Sequence, residues 1–424
     1  MIMERKYKRL KYACYTANIT MSAVGNLSPV LFLTFRSLYG ISYTLLGLLV
    51  LVNFVTQLSI DLVFSFFSHK FNIDKTVKIM PVLAIIGFIL YGCSPWLFPN
   101  FVYLGLLLGT IIFSSASGLA EVLVSPIIEA IPAQNTEGEL SKLHSVYAWG
   151  VVFVVVVCTV FLLLCGGKNW QWLAFGCALI PLFSAMLYAG VKVPTMDTPK
   201  GTSGALAYFK NKWLWVCVFA IFLGGASECT MAQWASGYIE KSLGISKVWG
   251  DIVGVAGFAL TLGLGRSLYA KYGKNIGKVL FFGAIGATLC YAVTVFVNIP
   301  FIALLACGLT GFCVAMLWPG NLIVASEKFP TGGVFIFAMM AAGGDLGASV
   351  GPQLVGKVTD LVIANGNAVS WAQTLGMTVE QLGMKAGMCV GTLFPLIAIF
   401  LYLYIWKSMK KPIAKVDNAD KTVV

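Results

Sequence analysis

The sequence predicts an all-α membrane protein: twelve transmembrane helices in two pseudo-symmetric six-helix halves. Three observations carry this. First, 58% of the 424 residues are hydrophobic and only 11% are charged, too little polar surface for a soluble fold of this length. Second, apolar segments near 20 residues recur along the chain, the length that crosses ~30 Å of hydrocarbon at ~1.5 Å per residue. Stretches such as "VVFVVVVCTVFLLLC" do not alternate as a β-barrel strand would. Third, the basic residues gather between alternate segments, as topology requires.

The spans fall at about 12–35, 43–67, 76–95, 99–126, 143–165, 171–191, 213–238, 250–270, 278–298, 300–325, 333–362 and 384–406. The first is longer than a signal-peptide core and no small-x-small cleavage pattern closes it, so it reads as a span. One of its faces carries Tyr15, Asn18, Ser22, Asn26 and Pro29. Asn side chains both donate and accept hydrogen bonds, which suits a ligand bearing hydroxyls; the same groups also serve as polar glue between helices. The second span repeats Asn53, Gln57, Asp61 and Ser65 at i+4 steps. Asp61 nears the basic end of that span, where a gating role is expected.

The fourth span holds Glu121 inside "FSSASGLAEVLVSPIIEAIP". A charged acid at mid-bilayer costs about 2.5–3.5 kcal/mol on insertion scales, so it faces protein, water or a proton. Ser114, Ser117, Glu121 and Ser125 share one helical face, which places Glu121 on a polar stripe lining an internal cavity. Low dielectric favours the neutral form of an acid, and Glu121 is a candidate proton carrier. In the seventh span Glu228 is flanked by Gly224, Gly225, Ala232 and Ala235, small residues that permit close approach. Gln233 and Trp234 join Glu228 on one face only if this span bends, at Gly237 or at the Gly224-Gly225 pair. Trp234 and Trp318 offer faces on which a sugar ring can stack, although lone tryptophans commonly pack or anchor. Asp345, in the Gly-rich "AAGGDLGASVG", is a second candidate coupling acid or an entrance residue. Glu129, Glu327 and His144 sit near the basic end and read as gate residues.

Of the 29 Lys and Arg, only Arg36, Lys168, Lys241, Lys247, Lys357 and Lys385 fall on or near the side opposite the termini. The positive-inside rule then sets both termini in the cytoplasm and the chain in the plasma membrane. The net charge of +12 is thus a topology signal, and no nucleic acid is implied. Arg266 is counted with the loop after the eighth span, which leaves no Lys or Arg at mid-membrane. An anionic substrate would be met by such a cation, so a neutral, hydroxyl-rich substrate or a cation is favoured. The cysteines are scattered without CxxC and there are two histidines, so no zinc site, disulfide framework or catalytic constellation is expected. No GxxxxGK[ST] is present and no cofactor is implied. The chain reads as a transporter and not an enzyme.

The longest inter-span loop, "KVPTMDTPKGTSGALAYFKNK", divides the chain into 1–191, a linker at 192–212, 213–408 and a tail at 409–424. The halves echo each other. "SHKFNIDKTVK" follows the second span and "AKYGKNIGKV" the eighth; "EAIP" closes the fourth and "EKFP" the tenth. Parallel six-helix halves suit this pattern.

On these features the chain resembles the major facilitator superfamily. Against its loop signature Gly-x-x-x-Asp-Arg-x-Gly-Arg, the second copy "GRSLYAKYGK" keeps Lys271 and Gly273. The first copy has His69 where Asp is usual and Asn72 where Gly is usual. Within the superfamily, "GLAEVLVSPIIEAIP", "KLHSVYAWGVVF", "FLGGASECTMAQWASGYI", "AMLWPGNLIVASEKFP" and "MMAAGGDLGASVGPQLVG" are similar to the fucose:proton symporter family. The resemblance implies a monomeric secondary transporter that moves a small sugar-like or polyol-like solute with protons by alternating access. Glu121, Glu228 and Asp345 would couple protons. Asn18, Ser22, Asn26, Glu121, Glu228, Gln233, Trp234, Trp318 and Asn321 would meet substrate. The fucose permease carries an aspartate in span one; "TANITMSAVGNLSPVLF" has none, so fucose itself is not implied. The competing reading is a proton-coupled exporter of cationic or amphipathic compounds, which buried acids and aromatics also suit.

Overall fold

A computed structural model describes residues 2–41, 43–196, 206, 208–244, 254, 256–297 and 299–409. Residues 197–205 and 207 of the predicted linker, the tail from 410 and Lys247 lie outside the described residues. The helices are α1 (Ile2–Tyr39), α2 (Tyr43–Phe67), α3 (Ile73–Leu97), α4 (Val102–Ala130), α5 (Thr136–Cys165), α6 (Gln171–Tyr188), α7 (Lys212–Leu243), α8 (Gly257–Tyr272), α9 (Ile276–Phe296), α10 (Pro300–Val314), α11 (Pro319–Lys328), α12 (Gly333–Ile363), α13 (Ala368–Thr374) and α14 (Val379–Met409). Ten stretches among them are long and apolar enough to cross a membrane. With α1 and α8 they match the twelve predicted spans.

Short polar loops end the helices with a recurring device. Asn72, Asn135, Asn211 and Asn275 each cap the next helix, accepting from the backbone N–H of Lys75, Gly138, Trp213 and Lys278 respectively. Each satisfies one orphan donor of a helix start. The repeated Asn-Ile of the two echoing loops is therefore a pair of matching caps, on α3 and α9.

The tenth span is not one helix. The α-helix stops at Val314, residues 315–318 form a turn, and Pro319 restarts it as α11. Proline is preorganised for a first helical turn and lacks the N–H that would go unpaired there. The Asn321 amide donates to the Leu317 carbonyl across the break. A broken span survives within a membrane where its freed backbone is satisfied or lines a cavity.

Glycines set the seam between α7 and α12. A Cβ on Gly225 would lie 2.5 Å from the Gly344 carbonyl, and one on Gly347 would strike the Phe222 carbonyl. Backbone cannot yield as a side chain does. Gly347→Val is expected to cost at least about 1–3 kcal/mol, the usual range for overpacking, seen as a lower melting temperature of the purified protein.

The start of α1 and the end of α14 lie at one end of the bundle. Lys11 pairs with Glu139 at the start of α5 (3.1 Å), and Trp406 of α14 packs on Gly277 at the start of α9. At this end the halves are sealed against each other. Tyr269 donates to Glu137 (2.8 Å), Ser141 to the Arg266 carbonyl (2.8 Å) and Trp149 to Ser267 (3.1 Å), all across the α5–α8 seam.

Candidate functional site

A cavity of about 550 Å³ lies between the halves, lined from α1, α2, α4, α5, α7, α8, α11 and α12 and by Trp318. That is the size range of small-molecule sites. Its exposed lining residues Gly25, Pro29 and Gln233 lie toward the far ends of α1 and α7, so it opens away from the sealed end.

Most of the wall is apolar, and the polar groups converge from facing helices. Asn18, Asn26, Asn53, Gln57, Ser117, Ser125, His144, Tyr147 and Gln233 all reach it. The stripes on α2 and α4 pair directly: Ser114 donates to Asn53 (2.5 Å) and Ser117 to Gln57 (2.8 Å). These bonds fix the amide orientations, and the Gln57 amide N–H in turn donates to the Asn53 backbone carbonyl (3.4 Å). Trp318 emerges from the helix break onto the wall. On its other side the ring packs on Gly225 and Gly344.

The expectation of a membrane interior without cations is overturned by Arg266. It is 2% exposed and lines the cavity. Its Nη2 bridges both Glu228 carboxylate oxygens at 2.9 Å; Nε donates to the Ala315 carbonyl (2.9 Å) and Nη1 to the His144 carbonyl (3.3 Å). Arg266 lies five residues before Lys271, and each residue adds ~1.5 Å of depth; that offset was the available signal. Four of the five guanidinium N–H donors are engaged, and Glu228 and Arg266 form a charge-paired unit inside the wall.

Asp61, expected as a gate residue, is wholly buried. Neither of its carboxyl oxygens has a hydrogen-bond partner among the described residues. Asp61, Glu121 and Asp345 each bring a carboxylate oxygen within 4.8 Å of the others. Glu121 and Asp345 face the cavity. His144, expected near the basic surface, also lines it, 3.4 Å from Ser125.

Several expected contacts are spent elsewhere. Ser22 donates to the Tyr147 and Asn18 carbonyls, tying α1 to α5. Trp234 donates to the Pro352 carbonyl (3.0 Å) and packs on Gly356; α7 runs as one helix to Leu243, so Trp234 does not converge with Glu228. Asn321 donates to the Tyr402 hydroxyl (2.9 Å). These three are outside the cavity lining. Asn18 and Asn26 line it while donating to the Leu143 and Ser22 carbonyls. Glu129, in the last turn of α4, is partly buried, and Glu327 stays at the surface.

The family model described as Major Facilitator Superfamily matches residues 13–352. No curated protein matches the sequence. Among solved structures, the chain is similar to the major facilitator transporter FucP in the outward conformation, with TM-score 0.73 and 13% identity over 93% of this chain and 98% of that one. It is also similar to the E. coli fucose:proton symporter FucP, with TM-score 0.72 and 12% identity over 94% and 99%. A third likeness is the proton:xylose symporter XylE bound to 6-bromo-6-deoxy-D-glucose, with TM-score 0.68 and 16% identity over 95% and 96%. At such identities the likeness is one of fold.

Proposed function

The chain belongs to the major facilitator superfamily, and from that premise we propose that this transporter moves a neutral, hydroxyl-rich solute of sugar or polyol type together with protons. The observation that carries the reading is the character of the cavity. Amides and hydroxyls from both halves converge on it beside one indole face, groups that match a ring with many hydroxyls. The one arginine in its lining is paired with Glu228 and bound to two carbonyls, so among the described residues no unpaired arginine or lysine faces the cavity to meet an anionic solute. Neutrality of the solute thus rests on this pairing and no longer on an absence of buried cations. Similarity to sugar:proton symporters agrees with this reading.

Rocking of the two halves about the cavity would expose it to either side in turn. Basic residues gather at the sealed end, where α1 begins and α14 ends, which supports a cytoplasmic position for that end. One chain contains a whole cavity, which supports action as a monomer in the plasma membrane. Glu121 and Asp345, facing the cavity without a protein cation, are the acids proposed to couple proton movement.

A panel of neutral monosaccharides and polyols, sugar acids and cationic dyes, applied to the purified protein in a melting assay, tests the reading. Stabilisation by at least one neutral polyol and none by sugar acids is expected. Stabilisation by cationic dyes alone would transfer the assignment to a cation exporter, the reading that the unmatched acids Glu121 and Asp345 favour.

A further inference from the structure

Asp61 and Asp345 stand apart from the other polar pairs named above among the described residues. They lie on opposite halves, on α2 and α12. Both are buried, at 0% and 5% exposure. Asp61 does not line the cavity; Asp345 does. Among the described residues, neither Asp61 oxygen and not the Asp345 Oδ2 receives a hydrogen bond from any N–H or hydroxyl. Yet each brings a carboxyl oxygen within 4.8 Å of the other. A carboxylate only accepts hydrogen bonds, whereas a protonated carboxyl also donates one. Two buried carboxyls this close, with no donor or cation on them among the described residues, repel unless one of them holds a proton.

From this geometry we propose that Asp61 and Asp345 form one proton site divided between the halves, a latch that keeps the terminal end sealed while a single proton is shared. The site deepens the proton-coupled reading above and rests on it for its role in transport. Glu121 supplies the route: it faces the cavity and brings an oxygen within 4.8 Å of both aspartates. A proton entering from the open side reaches Glu121, then the pair, and the sealed state is locked. When the halves part at the sealed end, Asp61 leaves with α2 and Asp345 with α12. Both carboxyls meet water, and the proton departs on the other side of the membrane.

The surrounding charges allow this. From α4 the pair faces Glu121, an acid, and from α7 Cys229. His144 and Tyr147 of α5 line the same cavity. Arg266 of α8 is committed to Glu228 and does not serve the aspartates as a counter-ion.

The sign follows from proton count. The sealed state binds one proton more than the state with this end open, so raising pH favours opening. The sealed-to-open ratio falls by up to about tenfold per pH unit for one proton. Hydrogen exchange of the full-length protein without substrate reads this directly, at the sealing segments 136–145 and 262–272. After correction for intrinsic chemical exchange, their protection in the wild type is expected to fall as pH rises. In Asp345→Asn the amide donates to the Asp61 carboxylate without a titrating proton, so protection should persist and the pH response vanish. Asp61→Asn makes the same bond from the other side and serves if the first variant does not fold. Protection of the wild type that ignores pH overturns the latch, as does an undiminished pH response in both variants. The readout needs no solute, so the substrate assignment can fail in the melting assay while the latch stands, and the reverse.

Discussion

Arg266→Ala will lower the stability of this protein by about 3–5 kcal/mol, the range for breaking one side of a buried ion pair. The loss has two sources. Glu228 is left as an uncompensated charge beside the cavity, and the Ala315 and His144 carbonyls each lose a donor. A lysine cannot replace the planar fork that reaches both Glu228 oxygens and two carbonyls at once, so Arg266→Lys should recover only part of the loss. Replacing both members, Glu228→Met with Arg266→Met, removes the stranded charge and is expected to be much less damaging than Arg266→Ala alone. Melting temperatures of the four proteins in one detergent settle the comparison. A double variant as unstable as Arg266→Ala would show that the carbonyl contacts matter and the charge pairing does not.

Glu121→Gln will uncouple solute accumulation from the proton gradient. A symporter carrying one proton per solute can concentrate that solute up to about tenfold per pH unit, since each unit is worth about 1.4 kcal/mol. Across an imposed difference of about two units the wild type can reach about a hundredfold in proteoliposomes, and Glu121→Gln should fall toward equal concentrations. Exchange of labelled for unlabelled solute, which needs no net proton movement, should persist, because glutamine keeps the shape and hydrogen-bonding reach of the side chain. Retained accumulation in Glu121→Gln would remove this residue from the coupling path.

The one-dimensional periodicity of each helix made some of this site readable. Ser117, Glu121 and Ser125 recur on one face of α4, and the structure puts that face on the cavity. The facing stripe of α2 is equally regular. What periodicity lacks is depth and partner. Arg266 reads as a loop cation because the apolar run around it ends nearby; only its pairing with Glu228, 38 residues away, shows how far inside it sits. Asp61 and Asp345 belong to different halves, and their meeting depends on the register between six-helix units, which local sequence does not encode. Ser22, Trp234 and Asn321 lie on suitable faces, yet each spends its donor on a neighbouring helix. The break before Pro319 was not legible, since the sequence reads as one span at 300–325 and prolines such as Pro29, Pro126 and Pro352 sit inside unbroken helices.

That break has a mechanical consequence. A continuous helix would hold the Trp318 ring at a fixed angle; the turn at 315–318 instead hangs it as a paddle between the cavity and the α7–α12 seam. Its rear edge rests on Gly344, the residue before Asp345. On the proposed reading, a solute leaning on the front of the indole shifts its weight onto the backbone that carries the aspartate. Occupancy of the cavity is then felt at Asp345 as a push on the main chain, with no charge on the solute required.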